Sequence, residues 1–391
     1  MLAMPQDMED VRMKECSRCL VKETADAVVI GEDGACSVCI QVEKKFDGTI
    51  DWTRRQREWD LLCADAKLRA QNTGANYDCI VPFSGGKDST YQLWYICTQT
   101  TLKPLVVQFD HWGMRPNLLE NNTRTFRKLG VDVISFKPNW RVVRELMIEA
   151  LKRRGDSCWH CHTGVYSYPM HVSLQYRVPL IIWGESLSEY QSFGLGELEE
   201  VNEERFNRAM NQGMTADDMV AFLGGRVSKR DLWPYAYPKR GALQELGLRS
   251  VCLGDYRPWN TRAQVGVIKR ELGWNGDVVE GVPPGFDYEK IECFMQGTRD
   301  YAKYLKRGFG RTNHVANIAI RHGHMTREEG DALQKEYDGK RPHSLTRFLE
   351  LLDMSEDEFH DIMLQHEVDP WTSAGKNYET GPALPDIEQW R

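Results

Sequence analysis

From Tyr77 onward the chain alternates short, continuous apolar runs with longer mixed ones, and this alternation limits the fold more than any other feature. Cys79–Phe83, Leu105–Phe109, Val131–Phe136 and Leu180–Trp183 read as strands, and Asp88–Cys97, Asn117–Leu129 and Arg141–Arg153 read as helices. A strand that is apolar on both faces has to be covered on both faces. The pattern therefore predicts an α/β protein, a parallel sheet with helices on either side. In such sheets ligands gather at the carboxyl ends of the strands. Leu253–Asn260 reads as another strand followed by a polar loop, in which Asp255 and Arg257 either reach the cleft or form a structural ion pair.

Two regions of different character flank this one. Residues 1–50 carry paired cysteines, and residues 51–76 form a polar helical connector built on Trp52–Gln71. Residues 77–284 hold the α/β pattern, and residues 285–391 read as mostly helical. Within the last region Ser355 caps a helix reaching His366, with Glu358 placed three residues on as in a capping box. A chain of 391 residues accommodates two or three such domains.

The sharpest chemical signal is Ser84-Gly85-Gly86-Lys87-Asp88-Ser89-Thr90, directly after the first strand and directly before a helix. Two glycines allow a tight turn that brings backbone N–H groups against an anion, and the helix points its positive end at the same place. Ser84, Ser89 and Thr90 add hydroxyls and Lys87 adds a cation. Lys87 is followed by Asp88, and Val81 stands where a Walker A loop would need its first glycine, so the loop is not of that type. Asp110 closes the second strand and Gly184-Glu185 the fourth, both at positions that face a cleft. Glu185 and Glu189 stand either as Mg²⁺ or substrate ligands or as solvated acids.

Cys16-x-x-Cys19 and Cys36-x-x-Cys39, sixteen residues apart, have the spacing of two knuckles that fold four thiolates around one structural Zn²⁺. Cys158 and Cys161 form a second pair, in the sequence CWHCH, placed in the loop after the third helix. Three readings stay open for it: a second zinc or an iron–sulfur cluster completed by Cys293, a redox pair, or packed thiols. Cys63, Cys79, Cys97 and Cys252 read as core residues. Trp112, Trp159, Trp183, Trp233 and Trp259 fall near strand ends, where large aromatics serve a ligand or, more often, a core. Lys303–Arg311 reads as a phosphate grip or as a solvated helix end, and His314, His322 and His324 as structural histidines.

The spacing SGGxDS resembles the loop of the PP-loop ATP pyrophosphatases, whose fold is of the adenine-nucleotide α-hydrolase type. Together with the four-cysteine knuckle, VPFSGGKDST, QFDHWGMRPN, CWHC and LIIWGES, the chain resembles the N-acetyl sugar amidotransferases of lipopolysaccharide O-antigen and flagellin sugar biosynthesis, from about Cys16 to Arg341. The resemblance implies ATP and Mg²⁺ at Ser84, Gly85, Gly86, Lys87, Asp88, Ser89, Thr90, Asp110, Gly184 and Glu185, with Ser84, Lys87 and Asp88 as the catalytic set. It implies that the acetamido oxygen of a nucleotide-activated sugar is adenylated and that ammonia then displaces AMP to leave an acetamidino group. No nucleophilic cysteine for glutamine hydrolysis is found, so ammonia is expected from separate glutaminase and synthase subunits resembling those of histidine biosynthesis.

The rival is a tRNA-thiolating PP-loop enzyme, which shares the loop, the knuckle and the CxxC with a further cysteine. A net charge of -7 and Gly184-Glu185-Ser186 in place of a Gly-His or Ala-His segment argue against it, and against a nucleic-acid partner. No apolar run approaches the roughly 18 residues of a membrane span, and the N-terminal residues lack the basic and apolar regions of a secretory signal. A cytoplasmic protein is expected.

Overall fold

The computed structural model describes residues 13–24, 28–46, 48, 50–184, 202–204, 206, 211–376 and 378–390. Five strands form one all-parallel sheet: β1 (Cys79–Pro82), β2 (Pro104–Phe109), β3 (Asp132–Phe136), β4 (Leu180–Trp183) and β5 (Arg249–Cys252). Their order is β3-β2-β1-β4-β5. Val81 lies opposite Val106, Val107 opposite Ile134, and Ile181 opposite both Ile80 and Ser250.

Because side chains alternate across a pleated strand, each strand feeds two cores. Ile80, Leu105, Val107, Phe109, Ile181 and Trp183 turn to one face. There they meet α5 (Trp140–Arg154), α6 (Trp159–Tyr176) and α7 (Ala216–Leu223), through residues such as Leu146, Trp159 and Met219. Cys79, Val81, Val106, Leu180, Ile182 and Val251 turn to the other, against α2 (Trp52–Thr73) and α3 (Lys87–Gln99). Trp59, Leu62 and Ala66 belong to this second core, so the helical connector α2 packs on the sheet. The remaining cysteines behave as core: Cys79 and Cys252 are buried, and Cys63 and Cys97 pack against the second core.

The expected strand at Leu253 lies four residues earlier. The left-handed Gly247 (φ 65°) ends α8 (Arg240–Leu246), and the chain enters β5 at once. Leu253–Asp255 has already left the sheet as a 3-10 turn, closed by the Tyr256 N–H on the Leu253 carbonyl at 3.0 Å. Arg257 turns to α2 and α3 instead of the cleft, donating to Gln56 Oε1 at 2.7 Å and to the Tyr95 hydroxyl at 2.6 Å.

The helical region packs on α5. Val143, Met147 and Leu151 share a core with Phe294, with Leu305 of α10 (Gln296–Arg307), with Phe348 of α13 (His343–Leu352) and with Phe359 of α14 (Glu356–Leu364). Ser355 caps α14, accepting from the Glu358 N–H at 3.1 Å. The cysteine knuckle docks on this same region, on α11 (Arg311–Arg321) and α12 (Arg327–Tyr337). The Leu20 N–H donates to Asn317 Oδ1 at 2.6 Å, Asn313 Nδ2 donates to the Leu20 carbonyl at 2.8 Å, and Arg327 donates to the carbonyls of Cys16 and Cys19. The described knuckle residues and the helical region therefore pack together. Among the described residues no helix is long and apolar enough to cross a membrane.

One buried cation ties the far end of the chain to the sheet. Arg115, 1% exposed, precedes α4 (Pro116–Leu129) and pairs with both oxygens of Asp386 at 3.0 and 2.7 Å and with Asp277 at 3.2 Å. Removing one member of a buried pair strands the others in low dielectric. Arg115→Met is therefore expected to lower stability by about 3 kcal/mol in urea denaturation; a change within ~0.5 kcal/mol, the range of ordinary surface substitutions, would contradict that account.

Candidate active site and metal centre

The strand order reverses at β1: the chain runs outward to β2 and β3 on one side, then returns to lay β4 and β5 on the other. The loop leaving β1 thus sits at the topological switch point, where neighbouring connections part and leave a crevice. Ser84–Ser89 is that loop. Gly85 has φ +89°, a conformation side-chain-bearing residues rarely adopt. Ser89 Oγ accepts from the N–H groups of Ser84 and Gly85 at 3.2 and 3.1 Å, and Ser84 Oγ from that of Gly86 at 3.3 Å. Thr90 Oγ1 and Trp274 Nε1 both donate to the Gly85 carbonyl, at 3.2 and 3.1 Å. The loop is thus held in shape by its own hydroxyls. Gly86, the N-cap of α3, has no side chain to cap the helix, and an anion there would complete the cap.

Lys87 does not project as a free counter-charge. It is 4% exposed, with Nζ 2.9 Å from Asp88 Oδ2 and 3.2 Å from Glu289 Oε1. Trp259 Nε1 donates to the other oxygen of Asp88 at 3.3 Å. Glu292 lies so close to Gly86 that a Cβ there would overlap its carboxylate, and a Cβ on Gly85 would overlap the amide of Asn122. Asn122 is 3% exposed, and among the described residues neither its Oδ1 nor its Nδ2 has a partner.

These observations fit a phosphate-bearing ligand. The glycines let Asn122 and Glu292 close directly on the loop, the start of α3 is uncapped, and a buried amide beside the loop is unsatisfied among the described residues. Glu289, Glu292 and Asn122 are the residues the sequence pattern did not single out. Asn122 left a signal: Leu118, Asn121, Asn122 and Thr125 occupy the buried stripe of α4, where an amphipathic helix ordinarily places apolar residues. Glu289 and Glu292 left none, since they lie in a segment with no periodic pattern, some two hundred residues from the loop.

Gly184 ends β4 beside α3, where a Cβ would stand 3.7 Å from the Asp88 carbonyl oxygen and 3.4 Å from Gln92 Oε1. Glu185, Ser186 and Glu189 lie outside the described residues. Asp110 turns to its own loop, accepting from the Trp112 N–H at 2.8 Å and pairing with Lys137 at 3.0 Å. Lys137 lies 4.0 Å above the Trp112 ring, and Trp112 adopts a φ of 70°. Trp159 and Trp183 are core, donating to the Met214 carbonyl and to Ser250 Oγ. Trp233 is 45% exposed. Arg311, in the basic stretch, is buried against Asp300 at 3.0 Å, and Lys303 lies over Phe309.

Cys158–His162 is not a loop. Cys158 is the N-cap of α6, and the pair lies across the first turn of that eighteen-residue helix. The interior Pro169 and Gly164 obscure the helix in the sequence, yet Gly164 is where the Phe109 ring packs. The Asp156 carboxylate accepts from the Cys158 N–H at 2.9 Å and lies 3.4 Å from Arg299. Burial opposes its charge, but Arg299 and the Cys158 N–H help hold its pKa down to about 2. Cys293 Sγ lies 3.8 Å from His111 Nδ1. Burial pushes the thiols of Cys158 and Cys293 up and that of Cys161 to about 12, and lowers His160 to about 4 and His162 to about 3. Burial thus favours the uncharged forms of these thiols and imidazoles. Cys158, Cys161 and Cys293 do not come together as a ligand set: among the described residues one group alone brings three or more donor atoms within 4.8 Å.

That group is Cys16, Cys19, Cys36 and Cys39, all buried. Cys16 and Cys39 are 3.9 Å apart at sulfur, and Cys19 and Cys36 3.8 Å. Tetrahedral Zn–S bonds of about 2.3 Å require S···S edges of about 3.8 Å, so the four sulfurs already stand at ligand spacing. The Cys36 N–H donates to Cys16 Sγ at 3.1 Å, supporting that sulfur from outside.

With this geometry in place, the comparisons with known proteins bear on the parts separately. Residues 287–381 match the family of the LPS biosynthesis protein WbpG-like, C-terminal domain. The region carrying Glu289, Glu292 and Cys293 is thereby similar to a lipopolysaccharide-biosynthesis family. Over 189 residues, 48% of the chain, the sequence is 28% identical to the uncharacterized protein MJ1599 of Methanocaldococcus jannaschii. The match covers 64% of that protein, so the chain spans less than two thirds of this relative's length.

Purified protein is expected to carry zinc in proportion to chain, to lose it to a strong chelator, and to release it as pH falls because the thiolates take up protons. Cys36→Ser should lower both metal content and thermal midpoint. Unchanged zinc in that variant, by elemental analysis, would refute the metal centre.

Proposed function

We propose that the protein is an ATP-dependent, AMP-forming amidotransferase that converts the N-acetyl group of a nucleotide-activated sugar to an acetamidino group in lipopolysaccharide biosynthesis. The observation that carries this reading is the Ser84–Ser89 loop at the switch point, walled by Glu289 and Glu292 from the very region that matches the lipopolysaccharide-biosynthesis family.

ATP would supply the adenylyl group: the acetamido oxygen attacks the α-phosphorus, pyrophosphate leaves, and ammonia then displaces AMP from the imidate carbon. The chain's own part is electrostatic and positional. The first turn of α3 and the backbone N–H groups of Ser84–Gly86, exchanging the Ser84 and Ser89 hydroxyls for phosphate oxygens, would receive the departing pyrophosphate. Lys87, held by Asp88 and Glu289, keeps positive charge beneath that anion. Asp88, Glu289 and Glu292 are the carboxylates available to an accompanying Mg²⁺. Ammonia would come from partner glutaminase and synthase subunits.

Incubation with ATP, Mg²⁺, ammonium and UDP-diacetamido sugars is expected to yield AMP and a sugar in which an amide oxygen is replaced by NH. Lys87→Ala and Ser84→Ala should each lower the rate of AMP formation by roughly 10²-fold or more. Formation of ADP in place of AMP, or full turnover in both variants, would overturn the reading.

A further inference from the structure

The unsatisfied amide of Asn122 has a function that the pyrophosphate loop alone does not explain. Two adjacent asparagines sit on the buried stripe of α4 and are treated in opposite ways. Asn121 is fully used: its Nδ2 donates to the Asn275 carbonyl at 2.8 Å, and its Oδ1 accepts from the Asn275 N–H at 2.9 Å. It thereby fixes the turn whose Trp274 donates to the Gly85 carbonyl. Asn122 packs against Gly85 yet has no partner among the described residues at either end of its amide, although it is 3% exposed. Burying an amide without partners lowers stability, and a leucine of similar size would fill the same space without that cost. Gly85 has no Cβ at the point where one would strike this amide, so loop and amide are shaped to each other.

We propose that Asn122 is a phosphate-binding residue: its Nδ2–H donates to an oxygen of the nucleotide's β,γ-diphosphate seated in the Ser84–Ser89 loop. The proposal rests on the reading of that loop as a phosphate site and adds a neutral side-chain donor, supplied by a different helix, to a cradle otherwise made of backbone, hydroxyls and one cation. A neutral amide suits the place. Glu289 and Glu292 already surround Lys87 and Gly86 with negative charge, and a further carboxylate would repel the anion, whereas an amide donates without adding charge.

The test measures binding and stability side by side, with inorganic pyrophosphate and ATP as probes in calorimetry and thermal unfolding. Asn122→Leu is expected to unfold at or above the wild-type midpoint without ligand, because two orphaned polar atoms are gone. Its affinity for pyrophosphate should be at least tenfold weaker, about 1.4 kcal/mol, and the midpoint shift caused by ATP should shrink accordingly. Asn122→Asp, close to isosteric, should bind more weakly still at neutral pH and recover part of its affinity as pH falls and the carboxyl is protonated. Wild-type affinity in both variants would overturn the proposal and leave the loop reading intact. Failure of the unaltered protein to bind pyrophosphate or ATP would overturn both.

Discussion

Backbone N–H groups at the carboxyl end of a central parallel strand cannot be left unpaired, and the rest of the structure depends on how this chain pairs them. Past the turn at Gly85 the donors of Ser84, Gly85 and Gly86 leave the sheet ladder and are held by the hydroxyls of Ser84 and Ser89. The strand order that places β4 and β5 on the opposite side of β1 opens the crevice above them. A loop of this shape in the middle of a helix layer would be a defect. At the switch point it is a socket.

The walls of that socket come from three distant parts of the chain. Asn121 and Asn122 arrive on α4, Trp259 and Trp274 from either side of α9 (Thr261–Leu272), and Glu289 and Glu292 from the approach to α10. The segment around residue 293 also runs along the loop after β2, where the Phe294 N–H donates to the Gly113 carbonyl at 2.9 Å and Cys293 faces His111. The region that matches the lipopolysaccharide-biosynthesis family is thus a wall of the crevice, not an appendage. The cysteine knuckle is hydrogen-bonded to α11 and α12 of that same region. Its four sulfurs leave no position open to a substrate, which suits a structural ion.

Much of this was legible in the sequence because it follows from local rules. Continuous apolar runs announced a doubly covered sheet, and β4 falls on the residues that the pattern marked. The paired CxxC motifs announced a four-sulfur cluster, because ligand spacing is a local property. What escaped was non-local or contrary to propensity. Helix α6 contains Pro169 and Gly164, both poor helix residues, and is kept helical by packing of Trp159, Met170 and Val172 into the sheet core. The apolar run continues past the sheet into the turn at Leu253, which hides the bounds of β5. The knuckle's docking on α11 and α12, and the return of Glu289 to Lys87, depend on contacts across hundreds of residues that no window can reveal. Cys158 and Cys161 show the limit of spacing alone: it suits a metal, a redox pair or packed thiols equally, and among the described residues the pair does not gather with Cys293 into a tight donor cluster.

The central claim is that this socket takes the pyrophosphate expelled from ATP. The most direct measurement is the exchange of labelled pyrophosphate into ATP by the full chain with an acetamido nucleotide sugar present and ammonia withheld. The account predicts sugar-dependent incorporation of label into ATP, because adenylation is reversible until a nucleophile arrives. Cleavage of ATP to ADP and phosphate, with no label returning to ATP, would contradict it.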